Sequence, residues 1–408
     1  MRSVLNYLLF ALAAGCGPGV SSHPGEPPDA APAEDAPPPI DAPPDAPPDA
    51  PPGPPPETRL LGMNDVSIFL PLPMIVELPV IGKLNGVTTA GDLVPRALFT
   101  RLLTAHQDIL NDFEEFHIIA IRFDVCDRIA PGPCPVGADG SLRLVLQPVQ
   151  TTAGAADVGL HAFYTIPAAE LPAVVNELRR IARSSNITPT NPLIRRPLNL
   201  DAIQGFRALV KTYARPAGLI RLSVMGQDAR TSELRTVFRG VELKDGEMVD
   251  IPVATVNATQ QDVALADVDP SYVVTPVSDS PTNFALTLTS GAFNAAAPAD
   301  QRSALEALVA TQNPQLHTSS TAQCIACHTS TYLGVHRGAA AGIDLRTLTN
   351  RYASTRDARV VDGIATTGER SLHAFSWIAQ NIAISQRVVN ETANALDEFE
   401  QRFPVPAQ

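Results

Sequence analysis

The sequence is short of positive charge. Its 408 residues carry 30 Lys and Arg against 42 Asp and Glu, a formal net charge of −12. Nucleic-acid binding is excluded on that ground, because neutralising phosphates needs a clustered excess of basic side chains. Long apolar runs are also missing. After the first few residues no stretch of about 18 occurs, which excludes a polytopic membrane protein. There are only five cysteines, but a chain of this length buries enough core to fold without disulfide staples and has room for two or three ordinary domains. Between residues 58 and 298 there is no GxGxxG, P-loop, GxSxG or HExxH, so several common nucleotide, hydrolase and zinc-protease signatures are missing from the largest part of the chain.

What the chain has in excess is proline, and it is concentrated. Residues 17–56 hold 17 of the 39 prolines, with DAPP repeated at Asp41, Asp45 and Asp49. Eight acids fall between Glu26 and Glu57 with no Lys or Arg among them, so most of the net charge belongs to this stretch. With almost no large apolar side chain beyond Val20 and Ile40, it cannot build a core. Proline fixes φ and the like charges repel, so the expected state of residues 16–57 is an extended, disordered spacer.

In front of the spacer, residues 1–16 read MRSVLNYLLFALAAGC: one Arg, an apolar run of about a dozen residues, then small residues before Cys16. Ala13, Ala14 and Gly15 directly before Cys16 resemble the lipobox of bacterial lipoproteins, with Ala13 where that family prefers Leu. The resemblance implies a signal peptide over residues 1–15, lipidation of Cys16, and a protein tethered to a membrane, the outer membrane being favoured because Gly17 rather than Asp follows the cysteine. Several acyl chains give stable anchoring where one does not.

Export makes Cys126 and Cys134, separated by a Pro-Gly turn between two strand-like runs, a candidate disulfide. Residues 58–298 read as an α+β domain with a mixed or antiparallel sheet. Helices are expected from Pro95 toward Phe113, after Pro167 and at Asp201–Tyr213. Strands are expected at HIIAIRFDV, SLRLVLQPV and LHAFYTI, then at Leu219–Met225, Leu234–Leu243, Met248–Thr255 and Phe284–Thr289. His106, His117 and His161 are isolated there and read as packed or surface side chains. Asp124, Asp127, Glu114 and Glu115 show no spacing that requires a carboxylate site. The ligand of this domain is not readable.

The most specific signal is QCIACHTS, Gln323–Ser330. Two thiols three residues apart can add to the two vinyl groups of one haem, and His328 then lies beneath the iron as an axial ligand. From composition alone, a CxxCH arises by chance in about one such chain in a thousand. A dithiol couple or half a zinc site are the competing readings.

The flanks resemble a small mono-haem c-type cytochrome, with helices expected at Ala299–Thr311 and about Ile384–Phe403. That resemblance covers about 110 residues and implies a small all-α cytochrome c-like domain over 299–408, holding one haem c covalently through Cys324 and Cys327. Such cytochromes usually place a Met downstream as sixth ligand, but no Met follows Met248. His373, in a helix-like SLHAFSWIAQ, is the first candidate for that position and His317 the runner-up. His336 is expected on the same helix as His328, and Trp377, Tyr332 and Phe375 are candidates for the haem edge. The resulting expectation is a membrane-anchored periplasmic electron-transfer protein with an unidentified redox partner. The alternatives are a haem peroxidase or oxidase-like enzyme with an open axial position, and a non-redox surface lipoprotein whose CxxC is a structural disulfide.

Overall fold

The structure is a computed structural model. It describes residues 59–72, 87–88, 91–103, 115–125, 138–150, 154–156, 158–184, 198–228, 235–244, 247–252, 259–264, 281–318, 321–356, 372–378 and 380–405. The expected signal peptide, the spacer, Cys16, Cys126, Cys134, His106, Glu114 and Asp127 lie outside the described residues.

The chain from Pro55 onward is one compact unit. Its frame is an antiparallel sheet. The strands β1 (Ser67–Phe69), β4 (Phe116–Val125), β5 (Ala138–Gln150), β7 (Gly159–Pro167), β8 (Leu219–Asp228), β9 (Arg235–Lys244) and β10 (Glu247–Asp250) are paired in that order. A short β6 (Gly154–Ala155) pairs with β5, and β11 (Gln260–Ala264) pairs with β9. Two further strands, β2 (Val87–Thr88) and β3 (Gly91–Asp92), form a separate ribbon. The mixed α/β architecture with an antiparallel sheet is thus as the sequence implies.

Strand alternation gives this sheet two unlike faces. One carries Ile121, Phe123, Leu142, Leu144, Leu160, Ala162, Tyr164, Leu222 and Val224, all buried. The amphipathic helices α3 (Leu171–Ser184) and α4 (Leu200–Tyr213) share a core with it through Leu171, Val174, Val175, Leu178, Ile181, Ile203 and Phe206. A Cβ added at Gly140 would lie 2.7 Å from Leu171 Cδ1, so glycine is what lets α3 approach β5 this closely. The opposite face is polar, and its register aligns Arg122 with Arg143, Arg143 with Phe163, and His161 with Ser223.

Near the start of the chain are α1 (Met63–Val66) and α2 (Arg96–Leu103), the described part of the helix expected after Pro95. After the sheet come α5 (Pro281–Leu288), α6 (Ser290–Ala295), α7 (Pro298–Thr311), α8 (Cys324–Ala341) and α9 (Gln386–Arg402). The strand expected at Phe284–Thr289 is helix α5 instead. Pro281 sits at its first position, where a missing N–H costs nothing, and the i,i+4 pair Phe284 and Leu288 turns inward together. Thr287, tolerable in either state, donates its hydroxyl to the Phe284 carbonyl at 2.7 Å.

The helix expected around His373 is corrected as well. It is a hairpin of β12 (Phe375–Ile378) and β13 (Asn381–Ile384), pairing Phe375 with Ile384 and Trp377 with Ile382. Aromatic and β-branched side chains favour this pleated, half-buried setting. Gln147 of β5 latches it by donating Nε2 to the Trp377 carbonyl at 3.0 Å and accepting from its N–H at 2.8 Å.

The stretch 299–408 is therefore not all helical, and it closes no core of its own. Leu305, Leu308, Ile325 and Leu333 pack with Phe238, Phe284 and Phe293 in one apolar cluster. Trp377, Phe375, Val389, Leu396 and Phe399 belong to the core of the sheet. Where α7 and α9 meet, they do so through Arg387 Nη1 donating to the Thr311 carbonyl (3.2 Å) and Asn390 Nδ2 to the Gln312 carbonyl (2.9 Å). No helix among the described residues is long and apolar enough to cross a membrane.

Candidate functional site

The polar face of the sheet is not left to water. The N-terminal turn of α8 and one side of α9 lie over it and, with the sheet, line a half-open cavity of about 300 Å³. Cys324, Cys327 and His328 are all on its wall, facing Arg122, Arg143, His161, Phe163, Arg221 and Phe238 of the strands and Arg387 and Glu391 of α9.

The motif is placed by both ends of α8. Gln323 is the N-cap residue without a capping side chain of its own. Gln261 of β11 substitutes for one, accepting from the Ile325 N–H at 3.2 Å and donating to Gln323 Oε1 at 2.9 Å. At the other end Gly342 takes the left-handed conformation (φ 65°), which suits glycine and ends the helix. The two cysteines thus occupy the first turn, and both are unbridged thiols. Cys324 opens onto the cavity, yet the protein around it pushes its thiol pKa up, and burial pushes Cys327 to about 12. Both are neutral at pH 7, unlike the low-pKa thiolates of dithiol couples and zinc sites. No group of three His, Cys, Asp or Glu suited to a metal ion occurs among the described residues.

His328 is oriented from behind. Its Nδ1 lies 2.5 Å from the Leu372 carbonyl oxygen, and a carbonyl can only accept, so Nδ1 carries the hydrogen and Nε2 keeps its lone pair. Desolvation holds its pKa down near 4, keeping the ring neutral, and Phe238 packs 4.8 Å away between ring centroids. An imidazole whose outer nitrogen is tied to a carbonyl is the arrangement that fixes a metal-ligating histidine.

The remaining wall is charged. Arg122 Nε donates to Asp124 (2.6 Å) and its Nη1 to Glu391 (2.5 Å), while Arg387 Nε donates to the other Glu391 oxygen at 2.6 Å. Burial alone would raise the Glu391 pKa, but Arg122, Arg387 and Arg143 outweigh it and hold the carboxylate far below its usual range. Arg143 is less well served. Its ion pairs with Asp124 and Glu391 are 3.8 and 3.7 Å long, its Nε is buried with no hydrogen-bond partner among the described residues, and its guanidinium stacks 4.7 Å from the Phe163 ring centroid. Burial and the neighbouring Arg122 lower its pKa, and the unpartnered Nε is a donor it can offer an anion.

Of the other histidines named from the sequence, His373, His317, His336 and His117 are not on this wall. His373 is buried with Nδ1 2.5 Å from Ser376 Oγ, and His317 is buried with Nδ1 3.3 Å from Thr321 Oγ1. His336 does share α8 with His328, but it is exposed and packs on Tyr332. Trp377 and Phe375 are core residues of the sheet rather than cavity residues. Asp124 is at the cavity as an arginine partner, Glu115 is exposed, and His117 is buried in β4 away from the cavity.

His161, expected from the sequence to be only a packed or surface side chain, is the exception. It lines the cavity from β7, and no described residue hydrogen-bonds it. Desolvation, then Arg143 and His328, drive its pKa well below 6.5. The available signal is alternation: Arg122, Arg143 and Arg221 align across the strands through Phe163, and His161 lies two residues from Phe163 on the same face.

No protein-family model matches this sequence, and no curated protein and no solved structure shows significant similarity to it.

Proposed function

We propose that this chain is an exported, lipid-anchored electron-transfer protein that carries one covalently bound c-type haem, with Cys16 as the anchor and residues 16–57 as the spacer between membrane and folded unit. The observation that carries the reading is that both thiols and the imidazole of the CxxCH pentapeptide face one cavity, with His328 Nε2 unengaged and its Nδ1 fixed by Leu372.

The residues present suit the group. Cys324 and Cys327, both free thiols on the cavity wall, would hold it covalently. His328 would supply one axial nitrogen. The cavity is of ligand-binding size and combines aromatic walls with fixed polar groups. Haem also brings two carboxylates, and the under-satisfied Arg143 offers a donor for one of them. The haem supplies the one-electron chemistry when bound. The chain orients it, limits water, and meets its negative charge with arginine.

Expression with a cytochrome maturation system tests this. The purified protein is expected to show a Soret band and, when reduced, an α band. Cys324→Ala or Cys327→Ala should weaken covalent attachment, and His328→Ala should disturb the spectrum while leaving both thiols. A colourless product that is negative by haem stain contradicts the reading.

A further inference from the structure

We propose that His161, on the central strand β7, is the second axial ligand, so that the haem is held between the sheet and α8 rather than inside a helical domain. This rests on the haem reading above and deepens it.

The argument begins with what surrounds His328. Leu372 occupies its Nδ1 side, and His373 follows Leu372 in the chain. His373 is thus tethered behind the imidazole, on the side away from Nε2, and its own Nδ1 is engaged by Ser376. His317 is buried beside Thr321 and off the cavity wall, and His336 is exposed on the same helix as His328. Each sixth-ligand candidate read from the sequence is therefore badly placed to reach the Nε2 side of His328.

His161 differs on every count. It is a cavity residue, as His328 is, but it comes from the facing sheet instead of α8. It is within electrostatic reach of His328. It makes no hydrogen bond among the described residues, and its ring lies tilted against Phe163 with centroids 6.3 Å apart. His161 is half-buried on the cavity wall, which leaves its ring open to a ligand there. A strand paired on both sides, with Val145 and Ser223 flanking His161, is also a rigid platform from which to present a ligand.

Two histidine ligands give a low-spin iron, and without the methionine that raises the potential of many cytochromes c the potential falls. The experiment uses the full-length mature holoprotein, read by absorption and electron paramagnetic resonance spectroscopy with redox titration. The wild type is expected to be six-coordinate and low-spin. His161→Gly should keep the haem covalently attached but lose the low-spin signal, and added imidazole should restore it. His161→Met should raise the midpoint potential. A low-spin signal that survives His161→Gly overturns the assignment, as does its loss in His373→Ala or His317→Ala instead, or a wild type that is already high-spin. A wild type with no covalently bound haem overturns both this assignment and the reading beneath it.

Discussion

Glu391 shows how a residue far from the cysteine motif shapes the cavity. It accepts from Arg122 and Arg387 at once, and these side chains line the same cavity as the CxxCH turn. Removing one member of a buried ionic group costs more than the group contributes, because the remaining charge is left uncompensated. Glu391→Gln is therefore expected to destabilise the protein by about 3–5 kcal/mol at pH 7, measurable by urea denaturation. The pH dependence has a defined sign. The folded chain keeps Glu391 ionised well below the ordinary value of 4.5, whereas the unfolded chain takes up a proton there. Its contribution is fully present above about 4.5 and is lost as the pH falls further, so the wild type should lose stability on acidification and the Gln variant should lose less. A variant with the wild-type acid slope would show that Glu391 is not so held.

At the scale of elements, two glutamine side chains tie the cavity together. Gln261 fixes the start of α8, and Gln147 fixes the hairpin β12–β13. Replacing Gln147 by Ala removes both of its hydrogen bonds to Trp377 and should cost about 1–3 kcal/mol, seen as a lower thermal midpoint and faster amide exchange across 375–384. The same elements show what the sequence made legible. Helix α3 could be read because Leu171, Val174, Val175, Leu178 and Ile181 repeat with helical period, and the strands from Phe116 to Pro167 because apolar residues alternate or run together. Helix α5 and the hairpin could not, since Phe-Ala-Leu-Thr-Leu and Phe-Ser-Trp-Ile are short apolar runs whose state is decided by a proline at one end and by Gln147 from elsewhere. The CxxCH is a local pattern and stands out by spacing alone. His161 does not, because it becomes a site residue only when four strands are placed in register and two helices cover their polar face.

At the largest scale, residues from 58–298 and from 299–408 share cores within the one compact unit that begins at Pro55. α8 packs in one core and α9 in the other, with the sheet contributing half of the cavity wall. A fragment containing only residues 299–408 would expose Trp377, Leu396 and Phe399, which the sheet core buries. It is expected to show no cooperative thermal unfolding by circular dichroism, while the chain from Pro55 unfolds as a unit; a soluble fragment that melts cooperatively with haem attached would contradict the shared-core description. The proline excess and most of the net negative charge, the loudest features of the composition, fall in residues 17–57 and say nothing about this cavity. The central claim is that the cavity holds a haem bonded to Cys324 and Cys327, and mass spectrometry of peptides from the mature protein tests it most directly. The account predicts that the peptide containing residues 324–328 carries the added mass of one haem after denaturation and digestion. Recovery of that peptide unmodified, from protein made where a control c-type cytochrome acquires its haem, would contradict it.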